Sequence, residues 1–211
     1  MPGKTNPWLN DEEFLSLAKQ FHGYFNLEYD INSNTYARMH VLRQLAKLHN
    51  NASFAEAGIY AGMSMFFTAE YCNNTFIGID SFKGVSEPNN MDSNYFKKHD
   101  LSIDKKYCEM TLSRFNNIKI FDGWIPEVLD EIDEDKYSFV NIDVDLYEPT
   151  KYSIQYFWER LLPGGVMILD DFGSSKTIGA RKAALEILGN EYMLELDTGQ
   201  CIVYKYWLGI L

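Results

Sequence analysis

FVNIDVDLYEPTKYSIQYFWERLLPGGVMILDDFG, residues 139–173, decides the fold. An apolar run from Phe139 ends in Asp143 and Asp145, Pro149 opens a helical stretch, Pro163-Gly164-Gly165 makes a turn, and Val166 to Leu169 form a second apolar run ending in Asp170-Asp171. Strand, helix, turn and strand make one β-α-β unit. Its right-handed crossover sets the strands parallel, so both leave the sheet at one edge and the carboxylates of Asp143, Asp170 and Asp171 converge there. That carboxyl edge is where open α/β sheets bind ligands. Three carboxylates at low dielectric repel one another, and either some stay protonated or a cation neutralises them. The basic residues nearby, Lys151, Arg160 and Lys176, lie on helices or past the turn. An oxygen-only donor set then favours a hard divalent ion, magnesium over zinc. The plainer alternative is that these acids are solvated helix caps.

Outward from this unit, the chain from Ala52 alternates strands (near 52–57, 75–80, 117–121, 137–143 and 165–170) with helices (near 63–72, 103–115, 125–130, 149–161 and 175–188). It closes with Tyr192 to Leu196 and Cys201 to Tyr206 around Asp197-Thr198-Gly199, a C-terminal antiparallel hairpin. The expected fold is therefore α/β, a seven-stranded, mostly parallel sheet with the outline of a class I methyltransferase Rossmann-like fold. The outline alone does not fix chemistry. Ahead of it, residues 1–9 form a loose arm. Asn10 with Glu13 reads as a capping box for a helix over about Asp11 to His22, and a second helix runs from Thr35 to His49. Residues 1–50 thus form an arm with covering helices and 51–211 the ligand-binding unit, one structural domain overall. Tyr24, Phe25, Tyr29 and Tyr36 either wall a pocket or simply pack.

FAEAGIYAGMSM, residues 54–65, is the second informative stretch. Glu56 ends the first strand, Gly58 and Gly62 loosen the turn, and Ser64 begins a helix whose free N–H groups can meet a carboxylate. Gly58 and Gly62 do not spell the dinucleotide pattern. FIGID, residues 76–80, then ends in Asp80, about twenty positions on, where a carboxylate can accept both hydroxyls of a ribose. The plainer alternative for Asp80 is a cap on the Ser81-Phe82-Lys83-Gly84 turn. A nucleoside cofactor without a pyrophosphate fits both stretches, and S-adenosylmethionine is such a cofactor.

The 211 residues are enough for one sizeable core, and a net charge of −11 argues against nucleic acid or an anionic membrane as partner. Cys72, Cys108 and Cys201 are too far apart for a metal knuckle and odd in number, which points to a reducing cytoplasm. There is neither a signal-like N-terminus nor an apolar run of spanning length. The apolar end, Tyr206 to Leu211, is a candidate contact with a second copy or with the sheet, so a homo-oligomer is an open expectation.

Taken together, AEAGIYAGMS (55–64), GIDSFKGVSEP (78–88), FDGWIPEVL (121–129), NIDVDLYEPT (141–150) and PGGVMILDDFG (163–173) resemble the successive motifs of the macrocin-type sugar O-methyltransferases, which depend on S-adenosylmethionine and magnesium. The similarity covers roughly Thr35 to Lys205. It implies that Asp143, Asp170 and Asp171 ligate the metal and that Glu56, Gly58, Tyr60, Gly62 and Ser64 surround the methionine part of the cofactor. It also implies that Asp80 holds the ribose, that Ser81 and Phe82 flank the adenosine, and that Asp122, Gly123 and Trp124 lie near the adenine and the pocket edge. The implied acceptor is a sugar hydroxyl in a glycosylated natural product or a surface polysaccharide. Catechol-type relatives carry a lysine base where this chain has Leu146, which argues against a phenolic acceptor.

A sugar hydroxyl is a weak nucleophile, so a group must take its proton. Asp145, two positions past Asp143 and on the same side of an extended chain, is the first candidate, with Asp143 and His99 as alternatives. An aspartate-nucleophile phosphatase would place Asp-x-Asp after the first strand, and a receiver domain would reverse the order of the acids. An aminopropyltransferase would need no metal, and a non-catalytic binding module would hold the cofactor without transferring from it.

Overall fold

Every residue of β1 (Ser53–Ala57) and β4 (Tyr137–Ile142) is buried. Parallel strands covered by helices on both faces have this pattern. In the computed structural model, which describes residues 6–25, 30–189 and 193–206, these two strands are the middle of the sheet. β2 (Phe76–Asp80) and β3 (Ile118–Asp122) extend it on one side and β5 (Leu161–Leu169) on the other, all parallel. β7 (Cys201–Tyr204) runs antiparallel to β5, and β6 (Met193–Glu195) pairs antiparallel with β7. The order β3-β2-β1-β4-β5-β7-β6 reverses direction of growth between β1 and β4. That reversal opens a crevice at the carboxyl edge. The expected seven-stranded sheet with its closing hairpin is the sheet observed; Tyr192, expected in the hairpin, lies outside the described residues.

The helices are α1 (Glu12–Phe25), α2 (Asn34–Leu48), α3 (Met63–Thr68), α4 (Lys106–Leu112), α5 (Tyr147–Arg160) and α6 (Ile178–Leu188). Pro149 sits in the first turn of α5, where a missing N–H costs nothing. α1 and α2 join the sheet through one apolar cluster that includes Phe14, Phe21, Tyr36, Leu42, Phe54 and Phe67. Buried Arg43 ties them further, meeting Asp11 at 3.0 Å, Glu13, and Glu70 at 3.4 Å. No helix among the described residues is long and apolar enough to cross a membrane.

Several local expectations are corrected. Asp11 rather than Asn10 caps α1, its Oδ1 accepting the Phe14 N–H at 2.9 Å. The helix expected near 125–130 is a single 3₁₀ stretch, Glu127–Glu131, and α4 is shorter than 103–115. Pro163-Gly164-Gly165 is not a free turn but an irregularity inside β5, where register jumps from Tyr137↔Leu161 to Phe139↔Val166. Lys205, just past β7, holds it there: Gly164 N–H donates to the Lys205 carbonyl at 2.7 Å and Lys205 N–H to the Gly165 carbonyl at 2.9 Å. Tyr36 is buried and Tyr24 stands edge-on to Phe66, so these aromatics pack and do not wall a pocket. Tyr29 and the tail from 207 onward lie outside the described residues.

Candidate active site

The turn after β1 is shaped by its neighbour strand. A Cβ on Gly58 would sit 1.7 Å from the carbonyl oxygen of Asp143, so only glycine lets the end of β1 pass the end of β4. Its φ of +85° adds a second reason. Beneath the turn, Glu56 is buried and accepts a hydrogen bond from Ser64. Burial pushes the Glu56 carboxyl up to about 8, against the lowering effect of the Ser64 hydroxyl and of Asn141. At the end of β2, Asp80 Oδ2 accepts the Tyr60 N–H at 2.8 Å and Oδ1 the Phe82 N–H at 2.7 Å. Burial raises this carboxyl too, and those two backbone donors oppose the rise. The capping role foreseen as the plainer alternative is therefore real, and each oxygen keeps a lone pair toward the cavity that Asp80 lines.

At the ends of β4 and β5 the register does what the β-α-β unit requires. Ile142 pairs with Leu169, and the next residues follow on: Asp143 N–H donates to Ala57 at 2.8 Å and Asp170 N–H to Ile142 at 2.9 Å. One carboxylate oxygen each from Asp143, Asp170 and Asp171 lies within 4.8 Å of the others. Asp145 joins them by a route other than an extended chain. Its backbone is left-handed (φ +61°), and its N–H donates to Asp171 Oδ2 at 2.9 Å. Desolvation raises all four carboxyls. Asp143 and Asp171 are held well above the usual carboxylate range, first by burial and then by neighbouring aspartates, and Asp145 is pushed up to about 6 by burial and by Asp170.

The positive charge that meets this cluster comes from α2. Arg38 Nη2 lies 2.5 Å from Asp170 Oδ2 and also donates to the Asp170 carbonyl. Gln200, at the foot of β7, donates from Nε2 to Asp170 Oδ1 at 2.7 Å. One arginine answers four buried acids, so either some of them keep protons or a cation neutralises them, and the donors are all oxygen. Such a set fits a hard divalent cation such as magnesium.

Both regions open into one cavity of about 320 Å³. Tyr60, Asp80 and Ser81 line the side at the end of β2 with Gly123 and Trp124, Arg38, Asp143, Asp145 and Asp171 the side at the ends of β4 and β5, and Gly58 lies between, against Asp143. The long loop between β2 and α4 supplies a further wall through Gly84, Val85, Ser86 and Leu101. That loop is stapled across the sheet edge. Asp92 Oδ1 accepts the Tyr147 N–H at the start of α5 (2.7 Å), and Lys182 of α6 donates to the Met91 carbonyl at 2.6 Å. Asp92 lies so close to α6 that a Cβ on Gly179 would fall 1.9 Å from its Oδ1.

The family model described as macrocin O-methyltransferase (TylF) matches residues 36–188, well over half of the chain. The chain belongs to the macrocin O-methyltransferase family. No curated protein matches it in sequence. Among solved structures, the calicheamicin methyltransferase CalS11 is 17% identical, with 96% of this chain and 94% of that one covered and a TM-score of 0.69. The O-methyltransferase NovP is 16% identical over 81% and 80% of the two chains, TM-score 0.67. An O-methyltransferase from Bacillus cereus, solved with S-adenosylhomocysteine (SAH), is 14% identical over 93% and 92%, TM-score 0.58. At these identities the likeness is one of fold, and it is the class I methyltransferase fold.

Measured against the motifs of the macrocin family, the expected residues divide into three groups. Gly58, Tyr60, Asp80, Ser81, Gly123, Trp124, Asp143, Asp145 and Asp171 line the cavity, with Asp170 beneath it in the acid cluster. Glu56 and Ser64 are buried under the turn, Gly62 packs against Leu112 and Cys108 of α4, and Phe82 is in the apolar core; these shape the site from behind. Asp122 is paired with Lys105 at 3.2 Å and is not among the residues lining the cavity, and His99 donates from Nδ1 to the Lys83 carbonyl at 2.9 Å beside Trp124, outside the acid cluster. Sequence reasoning missed Arg38, Gln200 and the wall formed by Val85, Ser86 and Leu101. None carries a local signal. An arginine in a helix that otherwise packs reads as a solvated charge, and a long loop has no periodicity to follow.

Proposed function

We propose that this methyltransferase moves a methyl group from S-adenosylmethionine to a sugar hydroxyl, in a glycosylated natural product or a surface polysaccharide, with a magnesium ion held by Asp143, Asp170 and Asp171. The surplus of buried carboxylates over Arg38, in the same cavity as the Gly58 turn and Asp80, carries the proposal. When bound, S-adenosylmethionine would supply an electrophilic methyl on sulfur, and magnesium held by Asp143, Asp170 and Asp171 would supply Lewis acidity toward the acceptor hydroxyl.

The chain's own residues supply the rest. Tyr60 and Phe82 N–H groups fix the Asp80 carboxylate in one orientation, leaving lone pairs for ribose hydroxyls. Trp124 and Leu101 give the cavity apolar wall surface. Asp145 takes the acceptor's proton on its carboxylate. Its N–H bond to Asp171 and its left-handed backbone aim it, and burial makes its carboxylate more basic than an exposed one. Leu146, where catechol-type enzymes carry a lysine, is buried, so a phenol would find no such base.

The family name, together with CalS11, described as a TDP-rhamnose 3'-O-methyltransferase, supports a sugar acceptor. Three buried free thiols, Cys72, Cys108 and Cys201, support action in a reducing cytoplasm. Residues 1–50 would cover the transferase unit formed by 51–211. The test is incubation with S-adenosylmethionine, magnesium and a panel of nucleotide-linked and aglycone-linked sugars, read by mass spectrometry. Methylation of a sugar that EDTA stops and added magnesium restores is the expected result. Turnover untouched by EDTA would remove the metal, and methylation of catechols alone would remove the sugar.

A further inference from the structure

We propose that Arg38 is a tethered competitor of the divalent cation: it holds Asp170 when no ion is bound and releases that carboxylate when one arrives, so that helix α2 sets the metal affinity of the site. The inference rests on the metal role proposed above.

Three observations carry it. Asp170 has both carboxylate oxygens engaged by protein donors, Oδ2 by Arg38 Nη2 at 2.5 Å and Oδ1 by Gln200 Nε2 at 2.7 Å. An ion drawn to the oxygens of Asp143, Asp170 and Asp171, within 4.8 Å of one another, therefore meets a guanidinium already on one of its ligands. Like charges on a shared carboxylate repel, and burial leaves little water to screen them.

The Arg38 side chain also has somewhere to go. It is 27% exposed, lines the cavity, and its Nε is buried with no hydrogen-bond partner, so the guanidinium is anchored through Nη2 at Asp170 and not at both edges. Finally, α2 is docked beside the same strand end. Asn34, its first residue, donates to the Thr198 carbonyl at 2.9 Å, two residues before Gln200. The helix that delivers the competing charge and the loop that delivers the second Asp170 donor are thus held together.

Manganese binding to the full-length protein, followed by titration calorimetry and by the electron paramagnetic signal of free Mn²⁺ without cofactor or acceptor, tests the proposal. Arg38→Met removes the charge at similar volume and is expected to bind Mn²⁺ roughly tenfold tighter than the wild type. Arg38→Lys keeps the charge on a shorter, more strongly hydrated group that holds Asp170 less well, and is expected to fall between them. Wild-type-like binding by Arg38→Lys beside tighter binding by Arg38→Met would mean that only the field matters, and displacement would be rejected. Unchanged or weaker binding by Arg38→Met would reject it as well, while leaving the metal role standing. No Mn²⁺ binding by any of the three would remove the metal role and the competition with it. Binding of SAH and circular dichroism report the fold of each variant, and Arg38→Gln replaces Arg38→Met if the latter does not fold.

Discussion

The two ends of the cavity handle negative charge in opposite ways. At the end of β2 a single carboxylate, Asp80, is met by two backbone N–H groups that the fold itself supplies. At the ends of β4 and β5 four carboxylates crowd together and one arginine answers them. The first end is complete without help and is suited to neutral hydroxyls. The second is left short of positive charge and is suited to a cation, so one sheet edge provides a rigid cradle and an electrostatic deficit side by side.

The sharpest way to break this comparison is to remove charge from the deficient end. Asp143→Asn or Asp170→Asn should cost about a thousandfold or more in metal-dependent turnover while leaving SAH binding intact. Loss of SAH binding in either variant would show that the two ends are not separable. Forcing the ends apart comes next. Gly58→Ala must move the Asp143 carbonyl that its Cβ would meet at 1.7 Å, so it should destabilise the fold by about 3 kcal/mol, measured by urea unfolding, and lower activity with it. The complete end should fail in the reverse sense. Asp80→Ala should weaken SAH binding about ten- to hundredfold, roughly 1–3 kcal/mol, and leave Mn²⁺ binding unchanged by calorimetry.

A pH-dependent prediction concerns the buried acid under the turn. Glu56 has its folded carboxyl near 8 against 4.5 for the free group, so the folded state holds a proton that the unfolded chain has lost. Its contribution to stability is fully present below about 4.5 and is lost as pH rises toward 8, by at most about 1.4 kcal/mol per pH unit. Glu56→Gln should flatten the dependence of the unfolding midpoint on pH across that window; a slope equal to the wild type's would assign it to other groups.

Much of the architecture could be read from residue order. Apolar runs ending in acids, a proline at a helix start and a terminal hairpin placed the seven strands, and the crossover rule placed Asp143 beside Asp170. Asp145 was reached for a mistaken reason: the chain does not run on extended past Ile142 but turns left-handed, and the Asp171 carboxylate holds it there. The glycine turn was read as making room for a ligand, whereas Gly58 first makes room for β4. Phe82 and Asp122 share motifs with cavity-lining residues, yet Phe82 sits in the apolar core and Asp122 pairs with Lys105, because a motif gives position along the chain and not what a side chain meets.

The sequence by itself determined the β-α-β order, the strand ends on which the acids stand and the membership of a methyltransferase family, since strand alternation, helix period and crossover handedness are local or nearly local properties of a chain. Only the tertiary structure decided which charge meets those acids. Arg38 reaches Asp170 across 132 positions and Gln200 across 30, and Asp92 of the long loop caps α5 across 55. Contacts at such separations follow from how helices and loops pack over the finished sheet, and no periodicity or spacing in the chain encodes them one residue at a time.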